Sequence, residues 1–208
     1  MNTFNSCGNI TQLPHDLFDG IHGQATNAMF LGTFSFCTGL TEIPENLFSG
    51  ISGAPAERMF DSTFYGCSGL VSIPGNLFSG ISGEPATGMF GSTFRNCTGL
   101  TEIPEKLFAR ISGAPAENMY LATFEGCSSL VSIGDKLFGD ISGNVQQGMF
   151  LQTFKNCSQL SGPSARTTSG KYLYEIWPDI IGGQGVGSCY WRATGLADYA
   201  DIPDVWKK

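Results

Sequence analysis

The chain has 208 residues, enough for a sizeable core, and only 14% of them are charged, against about 25% in typical globular proteins. Aromatic residues make up 12%, which excludes a charge-rich disordered chain, and the net charge of −7 argues against nucleic-acid binding. Apolar runs are far shorter than about 18 residues, so no transmembrane helix is expected, and no signal peptide is visible at the start.

A 30-residue repeat dominates the sequence. The unit 39–68 reads GLTEIPENLFSGISGAPAERMFDSTFYGCS, and the register runs without insertion or deletion from Phe4 to Leu160. Alternate units share further residues, such as TEIPE, which indicates duplication of a 60-residue pair. The clearest markers are six cysteines at equal spacing: Cys7, Cys37, Cys67, Cys97, Cys127 and Cys157. Self-similarity at a period of this length is the signature of a repeat architecture.

The first half of each unit predicts a short strand followed by a turn. In the unit 39–68, Leu40 and Ile43 bracket a β-favouring stretch, which Pro44 ends after very few residues. The next residues, 44–48, predict a short helical turn. The sequence SGISG then predicts a loop, because its glycines permit tight backbone turns.

The second half of each unit predicts a short helix. Pro55 stands at the position where a helix tolerates proline best. Phe60, Phe64 and Cys67 follow at i, i+4 and i+7, which places them on one face of a helix.

A unit of this size cannot bury its own apolar face, whereas stacked units bury continuous columns of side chains. We therefore predict an α/β repeat solenoid over residues 1–160, with short parallel strands on its concave side and short helices on its convex side. The expected core columns comprise the six repeat cysteines together with Met59, Phe64, Leu70 and Ile73.

The run M-F-x-x-x-F-x-x-C-x-x-L-x-x-I-P at residues 59–74 resembles the BspA-like leucine-rich repeat, although many members of that family have shorter units. The resemblance implies a right-handed superhelix and a role in binding or adhesion. It also implies a setting on the surface of bacteria, in their secreted proteins or in phage particles. The resemblance does not identify a ligand for this chain.

The two ends of the chain depart from the repeat. Residues 161–208 are predicted to form an irregular insertion and a degenerate capping repeat, in which Ala193 takes the place of the repeat cysteine. Cys189 lies outside the cysteine column and is either a reactive thiol or a residue of the cap. The chain begins in the middle of a unit, so we expect that further sequence precedes it or that its first unit self-associates.

The residue types argue against catalysis and metal binding. Zinc sites need paired Cys or His at short spacing, yet there is no C-x-x-C and both histidines, His15 and His22, lie in the first unit. The repeat cysteines are interpreted as buried thiols, with a disulfide or a metal as lesser alternatives. No histidine occurs after residue 22, so most of the chain lacks the base that would activate a nucleophile. Acidic side chains that share one face are usually just solvated and do not indicate a pair of catalytic carboxylates. We expect no enzyme activity, catalytic residue, metal or cofactor.

Binding is assigned to two surfaces. Strand positions facing the concave side offer small polar or acidic groups, and the cap offers aromatic rings, which suit carbohydrate or protein recognition. The alternative is that these rings only cover the last unit. The candidate ligand-binding residues are Glu42, Ser72, Glu102, Ser132, Tyr172, Tyr174, Trp177 and Trp191.

The sequence therefore predicts a non-catalytic binding or adhesion module of a bacterial surface protein or a phage protein. Its expected ligand is a protein or a carbohydrate, without nucleic-acid binding or membrane insertion. The alternative is a structural spacer that positions other domains.

Overall fold

The computed structural model, which describes residues 2–208, contains short regular elements. They are β1 (Gly23–Gln24), β2 (Ile51–Ser52), β3 (Glu102–Ile103), β4 (Ser132–Ile133), α1 (Leu173–Ile176) and α2 (Asp204–Lys207). Strand β1 pairs with β2, and β3 with β4, both in parallel. Gly23 lies opposite Ile51 and Glu102 opposite Ser132, so the two strands of each pair come from successive units.

Backbone hydrogen bonds also join units in which no strand is formed. The amide of Val71 donates to Thr41 O at 3.2 Å, and the amide of Thr101 donates to Val71 O at 3.4 Å. Parallel bridges such as Gly53 with Ile81 occur on another side of the same units. The repeats therefore stack in chain order. The handedness and the curvature of the predicted leucine-rich-repeat-like solenoid stay predictions.

The predicted helices within the repeats are wrong, because the structure forms turns there. Residues 57–66 are a series of turns in which the amide of Met59 donates to Ala56 O, three residues earlier, at 3.2 Å. An α-helix would use the carbonyl four residues earlier. The amide of Phe60 instead donates to Met89 O of the next unit at 2.9 Å. Amides alternate in this way along the segment, so half of them bond within the unit and half between units.

Backbone conformation explains why this segment is not helical. Arg58, Ser62 and Gly66 have φ values of +51°, +57° and +71°, one positive value every four residues. A right-handed helix has negative φ throughout. Two successive turns advance the chain by four residues, so Phe60 and Phe64 still share a face. The i, i+4 spacing therefore fits a turn repeat as well as a helix.

The core consists of side-chain columns that run through all the units. The ring of Phe64 stacks on Phe34 and Phe94, each with ring centroids 5.5 Å apart. This spacing lies within the range of favourable aromatic pairs. The column comprises Phe4, Phe34, Phe64, Phe94, Phe124, Phe154 and Tyr190. Of the expected core residues, Cys7 is half-buried, while Cys37, Cys67, Cys97, Cys127, Cys157, Met59, Phe64, Leu70 and Ile73 are buried.

Two columns of polar side chains tie each unit to the preceding one. Cys67 Sγ donates to Phe34 O at 3.1 Å, and Thr63 Oγ1 donates to Phe30 O at 2.9 Å. Burial raises the pKa of the Cys67 thiol to about 12, so the thiol keeps the proton that it donates. All seven cysteines are free thiols in the structure, and all but Cys7 are buried.

The stack continues across residue 160 into the predicted cap. The ring of Tyr190 stacks on Phe154 at 5.4 Å, and Ala193 is buried in the cysteine's place. The amide of Tyr190, which in other units would bond to a following unit, donates to the carbonyl of the buried Trp206 at 2.9 Å. Helix α2 therefore covers the last unit. Cys189 is buried too, and burial raises its pKa, so it belongs to the cap and not to a reactive site.

Candidate functional site

The predicted strand-face residues form one exposed row. Glu42, Ser72, Glu102 and Ser132 are exposed and occupy equivalent positions in successive units. Glu102 lies directly opposite Ser132 in the β3–β4 pair. The row offers carboxylate and hydroxyl groups in alternation, at the spacing of neighbouring parallel strands, about 4.8 Å.

The four predicted aromatic residues of the cap do not form one site. The rings of Tyr172 and Tyr174 stack at 5.3 Å, while Trp191 lies apart, with Lys155 at 5.4 Å and Arg192 at 4.4 Å from its ring. Trp177 stands at a third place, immediately after α1.

Tyr174 has a structural role. Its hydroxyl donates to Asp198 Oδ2 at 3.2 Å, and the same buried carboxylate accepts the amide and the hydroxyl of Ser164 at 2.9 and 2.6 Å. Burial raises the pKa of Tyr174, and the neighbouring Asp198 raises it further, so the hydroxyl remains a donor. These contacts join the start of the cap to its end.

Trp177 separates two clefts at the surface of the cap. One cleft, of about 340 Å³, is lined by Asp140, Ser142, Ser169, Lys171 and neighbouring residues. The other, of about 350 Å³, is lined by Asn144, Val145, Pro178, Asp179 and Ile180 among others. Gly143, Ile176 and Trp177 line both, so the two clefts are adjacent along one surface. A ligand of more than one residue or ring could contact both sides of the indole.

The orientation of Trp177 is fixed by its surroundings. Its Nε1 donates to Gly143 O at 2.8 Å. The preceding α1 is short, but Leu173 anchors it in the core and the Glu175 side chain accepts the amide of Tyr172 at 2.8 Å. The ring is half-buried, so one part packs against the cap while the other stays accessible. A ring held in this way loses little conformational entropy when it binds a ligand.

The 340 Å³ cleft has polar groups of both signs. Asp140 Oδ1 accepts the amide of Ser169 at 2.9 Å, and this hydrogen bond lowers the pKa of Asp140, which is therefore ionised at neutral pH. Lys171 supplies a cation on the same lining, and Ser142 and Thr167 supply hydroxyl groups. An aromatic ring beside hydrogen-bonding groups of both kinds suits a polar, uncharged ligand.

Sequence reasoning found Trp177 but missed the polar residues around it. Asp140, Ser169 and Lys171 come from two distant segments, and the cap has no period that would place them together. One signal was available. Asp140 stands where the units 39–68 and 69–98 have Gly50 and Gly80, so it is a departure from the repeat.

The described residues, 2–208, contain no group of three or more His, Cys, Asp or Glu side chains placed to hold a metal ion. The same range has no helix with the length and apolar character that a membrane span needs. Both histidines, His15 and His22, are exposed.

Comparison of the chain with protein-family models, with curated proteins and with solved structures found no match, so the BspA-like resemblance stays a prediction.

Proposed function

We propose that the protein is a non-catalytic binding module that recognises a glycan at the two clefts beside Trp177. The observation that carries this proposal is the half-buried indole, fixed by Gly143 O, with a cleft on either side. The exposed row of Glu42, Ser72, Glu102 and Ser132 is a second contact surface in this proposal. A setting on a bacterial surface or a phage particle belongs to the same proposal, as the resemblance implies.

The chemistry of the clefts favours a glycan over a charged ligand. Sugar rings have apolar C–H faces that pack on an indole, and their hydroxyl groups both donate and accept hydrogen bonds. Asp140 accepts, Lys171 donates, and the serine hydroxyls do both. An extended polar peptide uses similar contacts, so a protein ligand is the alternative.

The test begins with a glycan array, followed by calorimetric titration of the glycan that binds. We expect Trp177→Ala to weaken binding at least about tenfold, because a central aromatic residue in an interface contributes about 2 kcal/mol or more. Trp191→Ala is the matched control, since it removes another half-buried indole of the cap that lies outside both clefts. Equal affinities of the wild type and Trp177→Ala would contradict the proposal.

A structural spacer is the second candidate, and the continuous stacking favours it. The aromatic column that starts at Phe4 and ends at Tyr190 is the kind of regular core that gives a repeat protein its rigidity. Failure to bind any glycan on the array and any host-surface protein at high micromolar concentration would favour the spacer.

A further inference from the structure

One position in the repeat brings neighbouring units into backbone contact. A Cβ added at Gly50 would overlap the carbonyl oxygen of Ile21, and one added at Gly80 would overlap that of Ile51. The unit 99–128 has no glycine at this point. It reads Leu-Phe-Ala-Arg where the preceding unit reads Leu-Phe-Ser-Gly, so Arg110 replaces the glycine. A side chain therefore stands at this contact where the preceding units have glycine, while the amide of Gly83 still donates to Arg110 O at 3.0 Å, as the amide of Gly53 does to Gly80 O.

A cleft of about 310 Å³ lies at this place, between the units 69–98 and 99–128. Its apolar lining consists of Phe78 and Ile81 from one unit and Leu107, Phe108 and Ile111 from the next. Its volume is near the lower end of the range for small-molecule pockets. It shares no lining residue with the clefts beside Trp177.

The two walls of this cleft differ in backbone conformation. In the unit 69–98, the amide of Leu77 donates to Pro74 O of the same unit at 3.1 Å. In the unit 99–128, Lys106 has a φ of +57°, and its amide donates to Asp135 O of the following unit at 3.2 Å. The backbone of the second wall is therefore not a copy of the first.

The rim of the cleft is cationic. Lys106 and Arg110 are the two charged residues of its lining, and both are exposed. Arg110 Nη1 donates to Ser79 O at 2.7 Å, so the guanidinium reaches from one wall to the other. Two cations beside an apolar floor are notable in a chain whose net charge is −7.

We propose that this cleft binds a small amphiphile with an apolar body and one anionic group. The apolar body would lie against Phe78 and Leu107, and the anion would pair with Lys106 and Arg110. A guanidinium binds carboxylate or sulfonate oxygens more strongly than a neutral carbonyl, so Arg110 would exchange Ser79 O for the ligand. This site is independent of the glycan site at Trp177.

The test uses 8-anilinonaphthalene-1-sulfonate, whose fluorescence rises in apolar surroundings, and the neutral N-phenyl-1-naphthylamine, which has the same rings without the sulfonate. We expect saturable binding of the sulfonate at one site and weaker binding of the neutral compound. Arg110→Gly restores the residue of the other units and should abolish binding. Lys106→Asn should weaken it about fivefold, as expected for the loss of one ion pair near the surface.

Lys136→Asn is the matched control, because Lys136 occupies the equivalent position in the next unit, also with positive φ, and lies outside the cleft. Asparagine tolerates this conformation and is the residue found at 46 and 76. Equal weakening by Lys106→Asn and Lys136→Asn would overturn the proposal, as would undiminished binding to Arg110→Gly or no binding to the wild type. If Arg110→Gly does not fold, the two lysine variants decide.

Discussion

At the scale of single residues, one row of charged and aromatic side chains runs across five units. The Glu125 carboxylate forms salt bridges with two cations, Arg95 at 2.9 Å and Lys155 at 3.6 Å. The cations in turn lie over aromatic rings, with Arg95 at 5.8 Å from Tyr65 and Lys155 at 5.4 Å from Trp191. A carboxylate that is almost fully buried and paired on both sides stabilises the stack, because its removal leaves two cations without their partner.

Glu125→Gln should therefore lower the free energy of unfolding by about 1–3 kcal/mol, since the glutamine keeps the shape and loses the charge. Urea denaturation monitored by circular dichroism measures the change. Glu117→Gln, in the same unit but exposed, should change it by less than about 0.5 kcal/mol. Equal effects of the two substitutions would mean that the row contributes nothing to stability.

The buried thiols make stability depend on pH at the alkaline side. The pKa of Cys67 is raised to about 12 in the folded protein, whereas a thiol in an unfolded chain has a pKa of about 8.5. The contribution of the Cys67 thiol to the free energy of unfolding is complete below pH 8.5 and is lost as the pH rises toward 12, because in this range only the unfolded chain releases the thiol proton. At pH 10 the loss from this thiol is about 2 kcal/mol. Urea denaturation at pH 7 and pH 10 should show that the free energy of unfolding falls less between the two pH values for Cys67→Ala than for the wild type. An unchanged pH dependence in Cys67→Ala would contradict the assignment.

At the scale of elements, the close contact between units depends on glycine. Gly80→Ala should destabilise the protein by about 1–3 kcal/mol, because the new methyl group overlaps the Ile51 carbonyl and the backbone must move. Gly20→Ala is the matched control, since Gly20 holds the equivalent position in the first unit and a Cβ there meets nothing. Urea denaturation midpoints of the two variants test this contact. A tolerated Gly80→Ala would show that the units do not approach as described.

The elements also show where sequence reasoning succeeds and where it fails. The apolar positions of the repeat lie in the core, because any stacked arrangement of equal units aligns them in columns. The local conformation was not predictable from the same spacing, since Phe60 and Phe64 share a face both in a helix and in a series of turns. What decides between them is that alternate amides, such as that of Phe60, bond to the next unit. A single unit considered alone contains no such partner.

At the scale of the whole molecule, the stack is continuous but the repeat sequence changes at two places, and each place lies beside a candidate site. At each place the glycine of the repeat is replaced, by Arg110 beside the 310 Å³ cleft and by Asp140 beside Trp177. The two proposed sites therefore lie where the repeat sequence departs from its pattern. The residues that the cap contributes, Ser169 and Lys171, could not be found in this way, because the cap follows no period.

We propose that the main glycan contact is at the two clefts beside Trp177, with the row of Glu42, Ser72, Glu102 and Ser132 as the second contact surface. Hydrogen–deuterium exchange, measured with and without the glycan found on the array, tests it directly. We expect slower exchange in residues 140–145 and 167–180 when the glycan is bound, with smaller changes at the row of strand positions. Slower exchange confined to the strand positions 41–42, 71–72, 101–102 and 131–132 would contradict it.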